Sequence, residues 1–132
     1  MENSQINKFS LIERFRSIRH ALRGVKIFFT TTHNAWIEIS FSIFAILFGI
    51  FFQISSIEWM LIVLAMGLVL VAEAFNTAIE IDINLTSPEY HPYARDTKDV
   101  AAGAVFLMSL VALIVALIIF LPKIILYAKI YL

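Results

Sequence analysis

The sequence predicts an all-α integral membrane protein: an N-terminal amphipathic surface helix followed by three transmembrane helices. Three observations lead there. Apolar residues make up 61% of the 132 positions, well above the roughly 45–50% of soluble domains. Charged residues amount to 15% and leave long stretches bare between them. One such stretch, 100–121, carries no charge and is long enough for the roughly 20 residues that a bilayer requires. The length leads one to expect a single domain, 1–132. No cysteine is present, which excludes disulfides, thiolate metal sites and a cysteine nucleophile. The first 25 residues hold several arginines and no continuous apolar core, so a cleaved leader is not expected. The first span is then its own insertion signal.

Residues 1–8 are polar. From Phe9 the apolar positions Phe9, Ile12, Phe15, Ile18, Leu22, Val25 and Phe29 recur at three and four, with Arg16, Arg19, Arg23 and Lys26 between them. That pattern predicts a basic amphipathic helix over 9–29, lying in the membrane interface with its cations toward anionic headgroups. A calmodulin-type target or a nucleic-acid arm has the same periodicity, but the hydrophobic context favours the membrane surface, and no nucleic-acid partner is expected. Thr30 to Asn34 breaks the pattern and predicts a turn or helix junction.

A first span is expected over 35–52, with Glu38, Ser40 and Ser42 near its start. Gln53 to Ser56 is a tight connection, and a second span covers 57–79. Residues 81–99 read as a polar loop with Pro88 and Pro92. The third span is 100–121, ended by Pro122 and followed by a Lys/Tyr tail. Its opening residues Ala101, Ala102, Gly103 and Ala104 are small enough for close helix approach. Of the ten lysines and arginines, eight lie in 1–34 and 81–99 and two, Lys123 and Lys129, in the tail. The positive-inside rule therefore places the N-terminus and 81–99 in the cytoplasm. Trp59, Tyr127 and Tyr131 then fall at the outer interface and Trp36 at the inner one. Three spans have limited means to bury polar stripes, so self-association is expected, with the copy number open.

The second span ends in Glu73-Ala74-Phe75-Asn76-Thr77-Ala78-Ile79-Glu80. At about 100° per residue, Glu73, Asn76 and Glu80 share one narrow stripe. An acidic residue at the bilayer centre costs about 2.5–3.5 kcal/mol, which points to a functional site at Glu73. Glu80 alone is equally compatible with a helix that has reached water. Acid–amide–acid followed by Lys98-Asp99 suits metal-assisted phosphoryl transfer: oxygen ligands for a cation, positive charge near phosphates, and a base for the nucleophile. Glu80, nearer water, suits a magnesium ligand. Glu73, deeper and partly desolvated, suits a base toward an alcohol at the bilayer surface. Asn76 could orient either partner, and Lys98 would pair with phosphate. There is no Walker P-loop and no protein-kinase glycine loop. Ion or proton passage through the same carboxylates is the rival reading.

The segments Glu73 to Glu80, Pro88-Glu89-Tyr90-His91-Pro92 and Lys98-Asp99-Val100-Ala101-Ala102-Gly103-Ala104-Val105 closely resemble the small bacterial lipid kinases, the prokaryotic diacylglycerol kinase and undecaprenol kinase family. The resemblance runs from Phe9 to Leu121, and its E-x-x-N-x-A-I-E core with K-D is highly specific. It implies a homotrimer in the bacterial inner membrane, with active sites between subunits. It also implies transfer of the ATP γ-phosphate to a membrane lipid alcohol with Mg2+. Carried over by position, Glu73 resembles the catalytic base, Asn76 its neighbouring amide, Glu80 a metal ligand, and Lys98 and Asp99 the nucleotide-site pair. Two positions depart from the family. Thr32 stands where a second metal-binding glutamate is usual and is a weak ligand in its place, with Glu38 a further candidate. Asn84 stands where an aspartate is usual, with Asp82 displaced from the stripe. A weakened or inactive relative that binds lipid or nucleotide is the alternative. The Pro88–Pro92 form looks nearer to the undecaprenol branch, though no residue measures acyl or prenyl chain fit.

Overall fold

The computed structural model describes residues 11–131, and among these the regular structure is helical throughout: α1 Leu11–Thr31, α2 His33–Phe51, α3 Ser56–Thr86 and α4 Pro92–Tyr131. Phe9, where the surface helix was expected to begin, lies outside the described residues. The last three helices are long and apolar enough to cross a membrane. Large apolar side chains stay exposed along them, among them Phe41, Leu64 and Phe106, as lipid-facing residues do.

The junction between α1 and α2 is narrower than the expected break over 30–34. Only Thr32 is non-helical. Thr30 and Thr31 remain in the helix, where their hydroxyls are satisfied by carbonyls of the preceding turn, Thr30 donating to Lys26 at 2.9 Å and Thr31 to Ile27 at 2.8 Å. Across the junction the Trp36 indole N–H donates to the Phe29 carbonyl at 3.1 Å.

The α2–α3 connection is as tight as expected, and two local motifs build it. At the end of α2 the Ile54 N–H bonds the Gly49 carbonyl and the Gln53 N–H bonds the Ile50 carbonyl, the paired bonds of a Schellman ending. Gln53 takes φ 48°, the left-handed region that usually selects glycine. At the start of α3, Ser55 and Glu58 form a reciprocal capping box. Glu58 also accepts an ion pair from Lys123 of α4 at 3.0 Å, which fixes the two helices in register at this end. Ile54, Ile62, Ile119 and Phe120 form the buried core beside it, with Trp59, Phe52 and Met66 packed around.

Close helix approach occurs at a glycine other than the expected one. Gly103 faces open space, and of the four small residues at 101–104 Ala101 alone is buried. Gly49 instead lies against Trp59, where a Cβ would come within 2.6 Å of the indole. Gly49→Ala is therefore expected to destabilise the protein by about 1–3 kcal/mol through overpacking; thermal unfolding in detergent reads this directly.

Two expectations about helix ends need correction. The polar stretch 81–99 is mostly helix: only Ser87 to His91 lie outside α3 and α4. Polarity marked the exit from the apolar run rather than the end of the helix, and Pro92 begins α4, the position where its missing N–H is harmless. Pro122 does not end α4, which runs through it to Tyr131. The ring removes one hydrogen bond. Contacts just beyond it hold the helix against its neighbours: the Lys123–Glu58 pair and the edge-on contact of Tyr127 with Phe51 at 5.5 Å.

Candidate active site

The buried face of α3 runs Ile62, Ala65, Val69, Glu73, Asn76, a single stripe at spacings of three and four that changes from apolar to polar partway along. Glu73 is 2% exposed and Asn76 8%, while Phe75 between them is 67% exposed. The helix thus turns its aromatic outward and its carboxylate inward, the reverse of a soluble surface. Glu80, one turn beyond Asn76, is exposed.

The start of α2 packs on this stripe. The Asn34 side chain hydrogen-bonds the Glu73 carboxylate, and Glu38, one turn on, lies near enough to Glu73 for their charges to interact. Glu73 and Glu80 interact in the same way. On α3 the Asn76 amide N–H donates to Glu80 at 3.5 Å, a long bond that links the two groups loosely. Asn76 Oδ1 and Glu38 Oε2 are buried without a hydrogen-bond partner. Buried polar oxygens are rarely left so, and acceptor-only oxygens of this kind suit a hard cation. Among the described residues no three of His, Asp and Glu gather closely enough on one chain to hold a metal ion.

Thr32 reaches the stripe through its hydroxyl, which lies 2.7 Å from that of Thr77, and Thr77 donates to the Glu73 carbonyl at 2.9 Å. The continued helix brings Asn84 round to α4, where Lys98 donates to its Oδ1 at 2.7 Å. A neutral amide in this position orients the ammonium without cancelling its charge. Asp99 is less closely integrated: it pairs with Arg95 at 3.6 Å, both well exposed.

The structure therefore brings Glu73, Asn76, Glu80 and Thr32 together, carries Lys98 to the end of the same face through Asn84, and leaves Asp99 at the periphery. The sequence reading missed two residues here: Asn34, which it placed in a junction, and Thr77. The signal for Thr77 was the spacing of four from Glu73, which on a helix puts a hydroxyl over the Glu73 carbonyl.

Fold and site together define a polytopic membrane protein with a buried acid–amide pair on α3 and, further along the same helix, an asparagine that holds a lysine of α4. The family model for prokaryotic diacylglycerol kinase matches residues 19–120, so the chain belongs to that family. It is 36% identical over 120 residues to an undecaprenol kinase of Bacillus subtilis, covering 91% of this chain and 94% of that protein. A diacylglycerol kinase of Synechocystis is 35% identical over 107 residues, 80% of this chain and 61% of that longer protein. One from Helicobacter pylori is 32% identical over 97 residues, 68% of this chain and 70% of its own length.

Proposed function

We propose that the chain is an ATP-dependent lipid kinase that transfers the γ-phosphate of ATP to the hydroxyl of a membrane lipid alcohol, undecaprenol or diacylglycerol. The observation that carries this reading is the burial of Glu73 and Asn76 on a membrane helix in a member of this family. Glu73 accepts the proton of the lipid hydroxyl as that oxygen forms its bond to the γ-phosphorus. The bond from the γ-phosphorus to its bridging oxygen breaks, and ADP leaves with the electron pair. Asn34 holds the Glu73 carboxylate through their hydrogen bond. Lys98 offsets phosphate charge, and Asp99 borders the nucleotide. Since catalysis of phosphoryl transfer is mainly positioning and electrostatics, such a set is sufficient in kind.

The residues present fit Mg2+. Glu80 and the unpartnered Asn76 Oδ1 are oxygen donors of the required hardness, and nucleotide phosphates would complete the shell, while the Thr32 hydroxyl is engaged with Thr77. A cation held there would neutralise charge on the phosphates. Retention of Glu73, Asn76, Glu80 and Lys98 favours catalysis over an inactive relative. The lysine and arginine distribution supports a cytoplasmic N-terminus and a site on the cytoplasmic face of the bacterial inner membrane, with α1 as the interfacial helix. A homotrimer is part of the same proposal: Glu80 and Asp99 are open in the single chain, where a neighbouring copy has access to them.

The test is phosphorylation of undecaprenol and of diacylglycerol in mixed micelles with Mg2+ and labelled ATP. Transfer to either supports the reading, and transfer to neither by the folded oligomer overturns it. Within that assay Lys98→Met is expected to raise KM for ATP by roughly tenfold, the loss of one charge-assisted hydrogen bond.

A further inference from the structure

Thr32 is the N-cap of α2, yet its side chain makes no capping bond. A threonine there ordinarily accepts from the N–H of the second or third helical residue, and the bond is worth about 1 kcal/mol. In this structure the hydroxyl crosses to α3 and meets Thr77 at 2.7 Å. The direction of that bond follows from proton bookkeeping. Thr77 has one O–H, and it donates to the Glu73 carbonyl at 2.9 Å, so Thr32 is the donor toward Thr77. The result is a directed relay from the α2 cap to the Glu73 backbone, with the lone pairs of Thr32 still free.

Position makes the relay more than a local bond. Thr32 precedes Asn34 by two residues, and Asn34 is the group that bonds the Glu73 carboxylate. Ala35, the next residue, is fully buried. The first turn of α2 is therefore pressed onto α3, and the hydroxyl pair is the polar tie that sets its height along the stripe. Shifting α2 by one residue would move Asn34 by about 1.5 Å along the axis, enough to take it off Glu73.

We propose that Thr32 and Thr77 form a hydroxyl clasp that positions Asn34 on Glu73, acting on catalysis without touching the reactants. This rests on the lipid-kinase reading for its activity readout. Lipid phosphorylation by the native protein is compared with Thr77→Val, Thr77→Ser, Thr32→Val and Thr32→Ser, with size-exclusion profiles and thermal midpoints for each. Either valine variant is expected to lower kcat about tenfold, as small misplacements near a reacting centre do, with KM for ATP within about twofold of native. The serine variants, which keep the hydroxyl, should return kcat to within about twofold of native. Native kcat in Thr77→Val, or a Thr77→Ser as impaired as Thr77→Val, would overturn the clasp. If a valine variant fails to fold while its serine counterpart does, the kcat comparison passes to the other threonine; failure of both valine variants to fold reduces the pair to a structural role and overturns it. A second readout is independent of activity. In a thermal double-mutant cycle the two valine substitutions should be non-additive, and additive losses would refute the clasp. Absence of transfer by the native protein, with coupling intact in that cycle, overturns the kinase reading alone.

Discussion

Glu73→Gln is expected to lower lipid phosphorylation by about 10²–10⁴-fold, the range spanned by the loss of a general base, while ATP affinity stays near native. Glutamine keeps the volume of the side chain, and its amide can still accept from Asn34, so the packing of α2 on α3 should survive. What disappears is the capacity to take a proton. The carboxylate stands at 2% exposure with Asn34 as its hydrogen-bond partner, so bulk water has little access with which to replace it. The measurement is single-turnover transfer to undecaprenol and to diacylglycerol, with nucleotide binding followed separately. A variant that keeps more than a tenth of native turnover would remove Glu73 from the base role.

The second large effect is expected at Glu80. Glu80→Gln should raise the Mg2+ concentration for half-maximal activity by about 100-fold, the upper part of the range seen even for groups outside the ligand shell. Thr32 is the reason for the size of the effect. With a hydroxyl where the family usually has a carboxylate, Glu80 supplies a formal negative charge beside the Asn76 side chain, and cation affinity depends on the count of such charges. Titration with Mg2+ at saturating ATP reads the shift, and an unchanged Mg2+ requirement would place the cation elsewhere.

The spans were legible because a bilayer demands long apolar runs, and 100–121 meets that demand in its plainest form. The Glu73–Asn76–Glu80 stripe was legible for a related reason: periodicity alone aligns the three, and α3 buries the first two of them. Helix ends were less readable. Asp82 and Asn84 looked like loop because they are polar, but backbone hydrogen bonding continues past the apolar run as far as Thr86. Pro122 looked like a stop because the residue type forbids one hydrogen bond; Lys123 and Tyr127 hold the helix beyond that gap through partners on α3 and α2. The family resemblance supplied the roles of Lys98 and Asp99, but only coordinates separate them, since one reaches back to Asn84 and the other outward to Arg95. Thr77 could not be weighed from sequence, because its partner Thr32 lies 45 positions away.

The pairing of Asn34 and Thr32 with α3 bears on how the protein is made. A chain synthesised from its N-terminus presents the α1–α2 junction before α3 leaves the ribosome. When the carboxylate of Glu73 and the hydroxyl of Thr77 enter the bilayer, their partners are already there. The Asn84–Lys98 bond and the Glu58–Lys123 pair must wait for the next helix. Biogenesis therefore never exposes the most expensive acidic group to lipid without a hydrogen-bond donor within reach, and the order of the helices along the chain is itself part of the solution to burying it.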